Sequence, residues 1–109
     1  MNVAYDVDEF EEMVSYRKKV TGISHTVFIS PRGNAQHGPR VKVAINPPDS
    51  LDPRGDVATV SFDGLVVGDI SPPLLKQVRL FIETNRTVLL DYWHYRIDTE
   101  QLQQRLRSI

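Results

Sequence analysis

The hydrophobic pattern of this chain changes period once, at Ser71-Pro72-Pro73. Before that point apolar residues fall in short runs broken by Gly, Pro, Asn and Asp, which is the pattern of strands and turns. After it they recur at helical spacing, through Leu74, Leu75, Val78, Phe81, Ile82, Leu89, Tyr92 and Trp93. A sheet-forming half followed by a helix-forming half restricts the chain to an α+β architecture in which a helix covers one face of an antiparallel sheet.

Four strands are expected, near 25–31, 40–46, 56–62 and 65–69. The second, Arg40-Val-Lys-Val-Ala-Ile-Asn46, alternates cleanly, sending Val41, Val43 and Ile45 one way and Arg40, Lys42 and Ala44 the other. Asp63-Gly64 is a hairpin signal that pairs the last two strands antiparallel. Between the second and third strands, the three prolines of residues 46–56 forbid regular pairing, so this stretch is a surface loop or a recognition arm. A long helix is expected over 72–96, with Ser71 as its N-cap and Pro72 in the first turn. Two flanking helices complete the reading. One spans 5–21, opened by an Asp6/Glu9 capping box and stopped by Gly22; the other spans 99–107, opened by Asp98 and Gln101. Asn85 interrupts the apolar face of the long helix, where an amide left unbonded costs about 1–3 kcal/mol, so it must be hydrogen-bonded. At 109 residues the chain is long enough for one core and is read as a single domain, 1–109.

Charge narrows the function. Thirteen basic and fourteen acidic residues give a net charge of -1, which makes RNA a weaker expectation than protein as a partner. The absence of cysteine excludes disulfides, a thiol nucleophile and thiolate-bound metal. No apolar run approaches the roughly 20 residues of a membrane span, and the N-terminal stretch is acidic where a signal peptide is basic and then apolar, so a cytoplasmic protein without membrane contact is expected.

Residues 22–48 contain no acid while holding Arg32, Arg40, Lys42, His25 and His37. Such a patch can face a phosphate, an RNA backbone or an acidic protein surface. Solvated charges on an ordinary hairpin are the plainer account of the same residues. His25, His37 and His94 do not fall at a metal-ligand spacing, so neither metal nor cofactor is expected. His37, with Arg32 and Arg40 nearby, is the candidate for a general base or a phosphate contact. Tyr92 and Trp93 read first as core anchors.

The order of features from 25 to 95 resembles the bacterial domain of unknown function 4160 family. The resemblance is carried by Phe28-Ile29, Asn34-Ala-Gln-His37-Gly38-Pro39, Arg40-Val41-Lys42-Val43, Ala58-Thr59-Val60, and Val78 to Trp93 with Ile82-Glu83, Asn85-Arg86 and Leu89-Leu90. It implies a small α+β domain of bacterial or phage-borne proteins, whose genes sometimes sit in two-gene arrangements suggestive of toxin–antitoxin or defence loci. No catalytic mechanism comes with it. Family members typically read His-Gly-Pro-Pro-His-Val-His-Val, whereas here Arg40 and Lys42 stand in place of the two later histidines.

These observations lead to a non-enzymatic binding or regulatory protein that takes a partner with an acidic surface through Arg32, His37, Arg40 and Lys42. Two alternatives stay open. One is an endoribonuclease-like toxin with His37 as base and Arg32, Arg40 and Lys42 stabilising phosphate charge. The other is a structural homo-oligomer subunit, which exposure of Tyr92, Trp93 or Tyr95 would mark; a homodimer across an open sheet edge goes with the binding reading.

Overall fold

The alternating run Arg40–Ala44 becomes β3, the middle strand of the sheet in the computed structural model, which describes residues 13–109. Its neighbours are β2 (Val27–Ile29) and β4 (Val57–Ser61), and outside them lie β1 (Val14–Tyr16) and β5 (Val66–Val67). All four pairings are antiparallel, so the sheet is a five-stranded meander in sequence order. Register follows from side-chain alternation, because a slip of one residue would turn every apolar side chain outward. Val27 faces Val43, Val43 faces Ala58 and Val41 faces Val60, and all five of these side chains are buried. Phe62-Asp63-Gly64-Leu65 closes the β4–β5 hairpin, with Gly64 at φ 103°, a conformation that suits glycine.

The helices are α1 (Lys18–Thr21), α2 (Pro72–Thr84), α3 (Arg86–Trp93) and α4 (Thr99–Arg105). Ser71 caps α2, its hydroxyl accepting from the Leu74 amide at 3.3 Å, and the prolines occupy the first turn, where a missing N–H is harmless. Leu74, Val78, Phe81 and Ile82 of α2 join Val88, Leu89 and Tyr92 of α3 and Leu102 of α4 to pack against the valines of the sheet. The chain is therefore α+β with an antiparallel sheet under helices.

Three expectations change. The sheet has five strands rather than about four, because Val14–Tyr16 pairs with β2 where a helix over 5–21 is expected. Val14 and Tyr16 sit two apart, and pairing with Ile29 and Val27 satisfies the edge of β2 while burying Tyr16. Only Lys18–Thr21 of that helix is observed, stopped at Gly22 with φ 83°; residues 5–12 of the expected helix lie outside the described residues. The long helix 72–96 is two helices, parted at Asn85 and ending at Trp93.

The parting has a local cause. Asn85 is buried, and its amide nitrogen donates to the carbonyls of Phe81 (3.0 Å) and Arg107 (2.9 Å), while its oxygen accepts from the Arg107 amide (2.7 Å). The side chain pins the segment after α4 to the α2–α3 junction. Beyond it, the Ile109 amide donates to the Thr21 carbonyl at 2.9 Å, so α4 folds back on its own domain. Helix α4 begins with the expected capping box of Asp98 and Gln101 and spans Thr99–Arg105 within the expected 99–107.

Candidate functional site

The β2–β3 connection, residues 30–39, carries Arg32 and His37 and is tied to the C-terminal end of α3. The Arg32 amide donates to the Trp93 carbonyl (3.0 Å), the Gly33 amide to the Tyr95 hydroxyl (2.9 Å), and the Ala35 amide to the Arg32 carbonyl (2.9 Å). Tyr95 reaches this position with φ 61°, an uncommon value for a residue with a side chain. The His37 ring packs on Trp93, centroids 5.7 Å apart. Its Nδ1 lies 2.8 Å from the Gly38 carbonyl, an acceptor only, so Nδ1 carries the proton and Nε2 is the basic nitrogen of the neutral ring. That Nε2 is buried.

Past Gly38-Pro39 the chain enters β3 at Arg40, which pairs in register with Ser61 of β4. His37, Pro39 and Arg40 form one wall of a cleft of about 240 Å³, and Ser61, Asp63, Leu65 and Val67 of the β4–β5 hairpin contribute the other. Leu65 and Val67 are 68% and 65% exposed, the two most exposed large apolar side chains among the described residues. Asp63 is held below the ordinary carboxylate range, chiefly by the hydrogen bond from the Ser61 hydroxyl and further by backbone amides. The cleft thus combines a guanidinium, an ionised carboxylate, a hydroxyl and an aliphatic rim.

Of the four residues nominated from sequence, the fold brings His37 and Arg40 together in this cleft. Lys42 is two residues along β3, half-buried between Phe28 and Thr59 in register, and Arg32 is exposed on the connecting loop; neither lines the cleft. Ala44, expected on the same outward face, is fully buried, and Phe28 on that face is only 2% exposed. His25 serves structure: its Nδ1 is 2.7 Å from the Ala44 carbonyl. Tyr92 and Trp93 are buried anchors. Ser61, Asp63, Leu65 and Val67 were not singled out as site residues. Their signal was the apolar Leu65-Val-Val run directly after a tight turn, which a two-residue edge strand cannot hide completely.

Among the described residues no group of three or more His, Asp or Glu is placed to hold a metal ion, and no helix is long and apolar enough to cross a membrane. The second polar cleft, about 470 Å³, lies at the α2–α3 junction and is lined by Arg86, Arg105 and Arg107, but Arg86 is paired with Glu83, and Arg105 with Asp91 at 3.2 Å. No family model, no curated protein and no solved structure matches the chain.

Proposed function

We propose that this chain is a non-enzymatic protein-binding module, of the kind the domain of unknown function 4160 resemblance suggests for a bacterial or phage toxin–antitoxin or defence locus, acting in the cytoplasm. Its partner presents a single carboxylate flanked by apolar side chains to the His37–Arg40 cleft. The observation that carries this reading is the meeting of Arg40 with the exposed Leu65 and Val67 across one concavity. Burying either side chain against a partner contributes about 1.5–3 kcal/mol. Arg40 supplies the charge and forked hydrogen bonds that orient a carboxylate.

The same features favour a protein over RNA. A nucleic-acid backbone brings one charge per nucleotide, and with the ionised Asp63 beside Arg40 the cleft has no net positive charge to hold such a polyanion. Its sugar–phosphate edge also offers little apolar surface to Leu65 and Val67. The ribonuclease alternative draws on the His37 tautomer, which leaves Nε2 as the basic nitrogen, but that atom is buried and a base must reach the proton it removes. Lys42 and Arg32 contribute long-range attraction to an acidic partner rather than direct contact in the cleft.

The test is affinity purification of the tagged protein from its host beside an Arg40→Ala/Leu65→Asp variant, with protein and RNA read from the same eluate. The expected result is a stoichiometric protein that the variant loses while its melting temperature stays within a few degrees. A protein retained equally by the variant rules the cleft out. Enriched RNA whose cleavage disappears in His37→Ala replaces this reading with the ribonuclease.

A further inference from the structure

Three arginines meet at the α2–α3 junction from separate stretches of chain. Arg86 opens α3, Arg105 closes α4, and Arg107 follows two residues later. They share one concavity of about 470 Å³ with Glu83, Thr84 and Thr87. Buried Asn85 lines it too, and its amide holds both backbone groups of Arg107, which fixes where that side chain starts. Arg86 is steadied from the other side, its guanidinium 5.3 Å from the centre of the Phe62 ring.

Charge in this cleft is not balanced from within. Three guanidiniums of the lining face one carboxylate, Glu83, which leaves two positive charges over. The neighbouring pairs do not remove the excess. Asp91 gives one oxygen to Arg96 (3.1 Å) and the other to Arg105 (3.2 Å), so a single carboxylate serves two cations. With Arg96 and Asp91 included, four cations still face two acids. No acid pairs with the Arg107 side chain among the described residues. Arg86 and Arg105 each meet their acid through Nη2, which leaves Nη1 and Nε to donate elsewhere. A concavity with one sign of charge in excess concentrates ions of the other.

We propose that this cleft binds a phosphate monoester of a small non-aromatic alcohol, the class to which sugar phosphates belong. A phosphomonoester carries close to two negative charges at neutral pH, which matches the excess, and arginine forks are shaped for its oxygens. The volume lies within the roughly 300–1,000 Å³ of small-molecule sites, so there is room for more than the phosphate. Among the described residues no aromatic ring lines the cleft, so a nucleobase finds no face to stack on, whereas the exposed Thr84 and Thr87 offer hydroxyls to a polyol. The site shares no lining residue with the His37–Arg40 cleft, and the two readings can fail separately.

The test is an NMR titration of the backbone amides of the full chain at a pH of about 7.5, where the ester is a dianion. The probes are ribose 5-phosphate, ribose, inorganic phosphate and adenosine 5′-monophosphate. Ribose 5-phosphate is expected to shift the Thr84, Thr87 and Arg107 amides saturably, with a dissociation constant below about 1 mM. Ribose is expected to shift none of them, inorganic phosphate to bind at least threefold more weakly, and the nucleotide to bind no more tightly than the sugar phosphate. Arg107→Ala and Arg105→Ala are each expected to weaken binding at least tenfold. The melting temperature of Arg107→Ala should stay within a few degrees, because Asn85 holds the backbone of residue 107 and not its side chain. Arg54→Ala removes the same charge from the loop of residues 46–56 and is expected to leave the affinity unchanged. Shifts that never saturate, or equal losses in the Arg107 and Arg54 variants, overturn the proposal. Inorganic phosphate binding as tightly as the ester, or the nucleotide binding tenfold more tightly, overturns the class of ligand assigned.

Discussion

Asn85 makes three hydrogen bonds from a position 2% exposed, and they require an amide, which offers two donors and an acceptor in one plane; glutamine carries the same group one methylene further out. Asn85→Ala is expected to lower the free energy of unfolding by about 2–3 kcal/mol, through the amide and carbonyl of Arg107, which lose their partner, whereas the Phe81 carbonyl keeps the backbone amide of residue 85; urea denaturation reads the loss. Asn85→Asp is expected to be no better, because it keeps the acceptor and loses both donors. Gly22 is the second position where one residue type is required. Its φ of 83° disfavours any side chain, and a Cβ there would overlap the backbone carbonyl of Ile109. Gly22→Ala is expected to cost more than the roughly 1–2 kcal/mol of the left-handed conformation alone, and the excess should vanish in a variant truncated after residue 106.

Elements divide into those whose causes are local and those whose causes are distant. Helix α4 belongs to the first group: Asp98 accepts from the Gln101 amide at 2.9 Å and Gln101 returns a bond to the Asp98 amide at 3.0 Å. Asp98→Ala is expected to cost about 1 kcal/mol and to raise hydrogen exchange across Thr99–Arg105 while the sheet stays protected. The start of α2, the β4–β5 hairpin and the alternation of β3 were legible in the same way, because Ser71-Pro72, Asp63-Gly64 and Arg40–Ala44 each act within a few residues. β1 and the break at Asn85 were not. A three-residue strand is too short to show a period of two against the helical pattern around it, and it is held by β2 rather than by itself. The polar residue at 85 announced that a partner was needed, but that partner lies 22 residues away. The candidate site divides likewise: His37 and Arg40 stood out by type, whereas Leu65 and Val67 matter through an exposure that only the folded hairpin reveals.

For the molecule as a whole, stability is bounded on both sides of neutrality. Asp91 is held below the ordinary carboxylate range by hydrogen bonds from Arg96 (3.1 Å) and then Arg105 (3.2 Å), and Glu83 by Arg86. A carboxyl whose pKa is lower folded than unfolded adds stability above its unfolded value, and that stability is lost as pH falls through the folded one. The protein is therefore expected to lose stability on acidification below about pH 4, and Asp91→Asn should flatten part of that limb in a pH series of melting temperatures. Tyr16 acts at the other end. Its hydroxyl is buried without a hydrogen-bond partner among the described residues, and burial, then the nearby Tyr92, push its pKa up. Its contribution is complete below the unfolded value near 10 and is lost as pH rises through the folded one, so Tyr16→Phe should flatten the alkaline limb.

The seam that fastens residues 107–109 also gives the molecule a mechanical weak point. A processive unfoldase or an optical trap pulling from beyond Ile109 loads the Thr21 bond first and the pair at Asn85 next, one after another rather than in parallel. Leu106 on the core, the Arg105–Asp91 pair and then the fully buried Leu102 follow in turn, so α4 peels away at low force while the meander is still closed. Force applied from that side should give two rips, a small one for the seam with α4 and a larger one for the sheet.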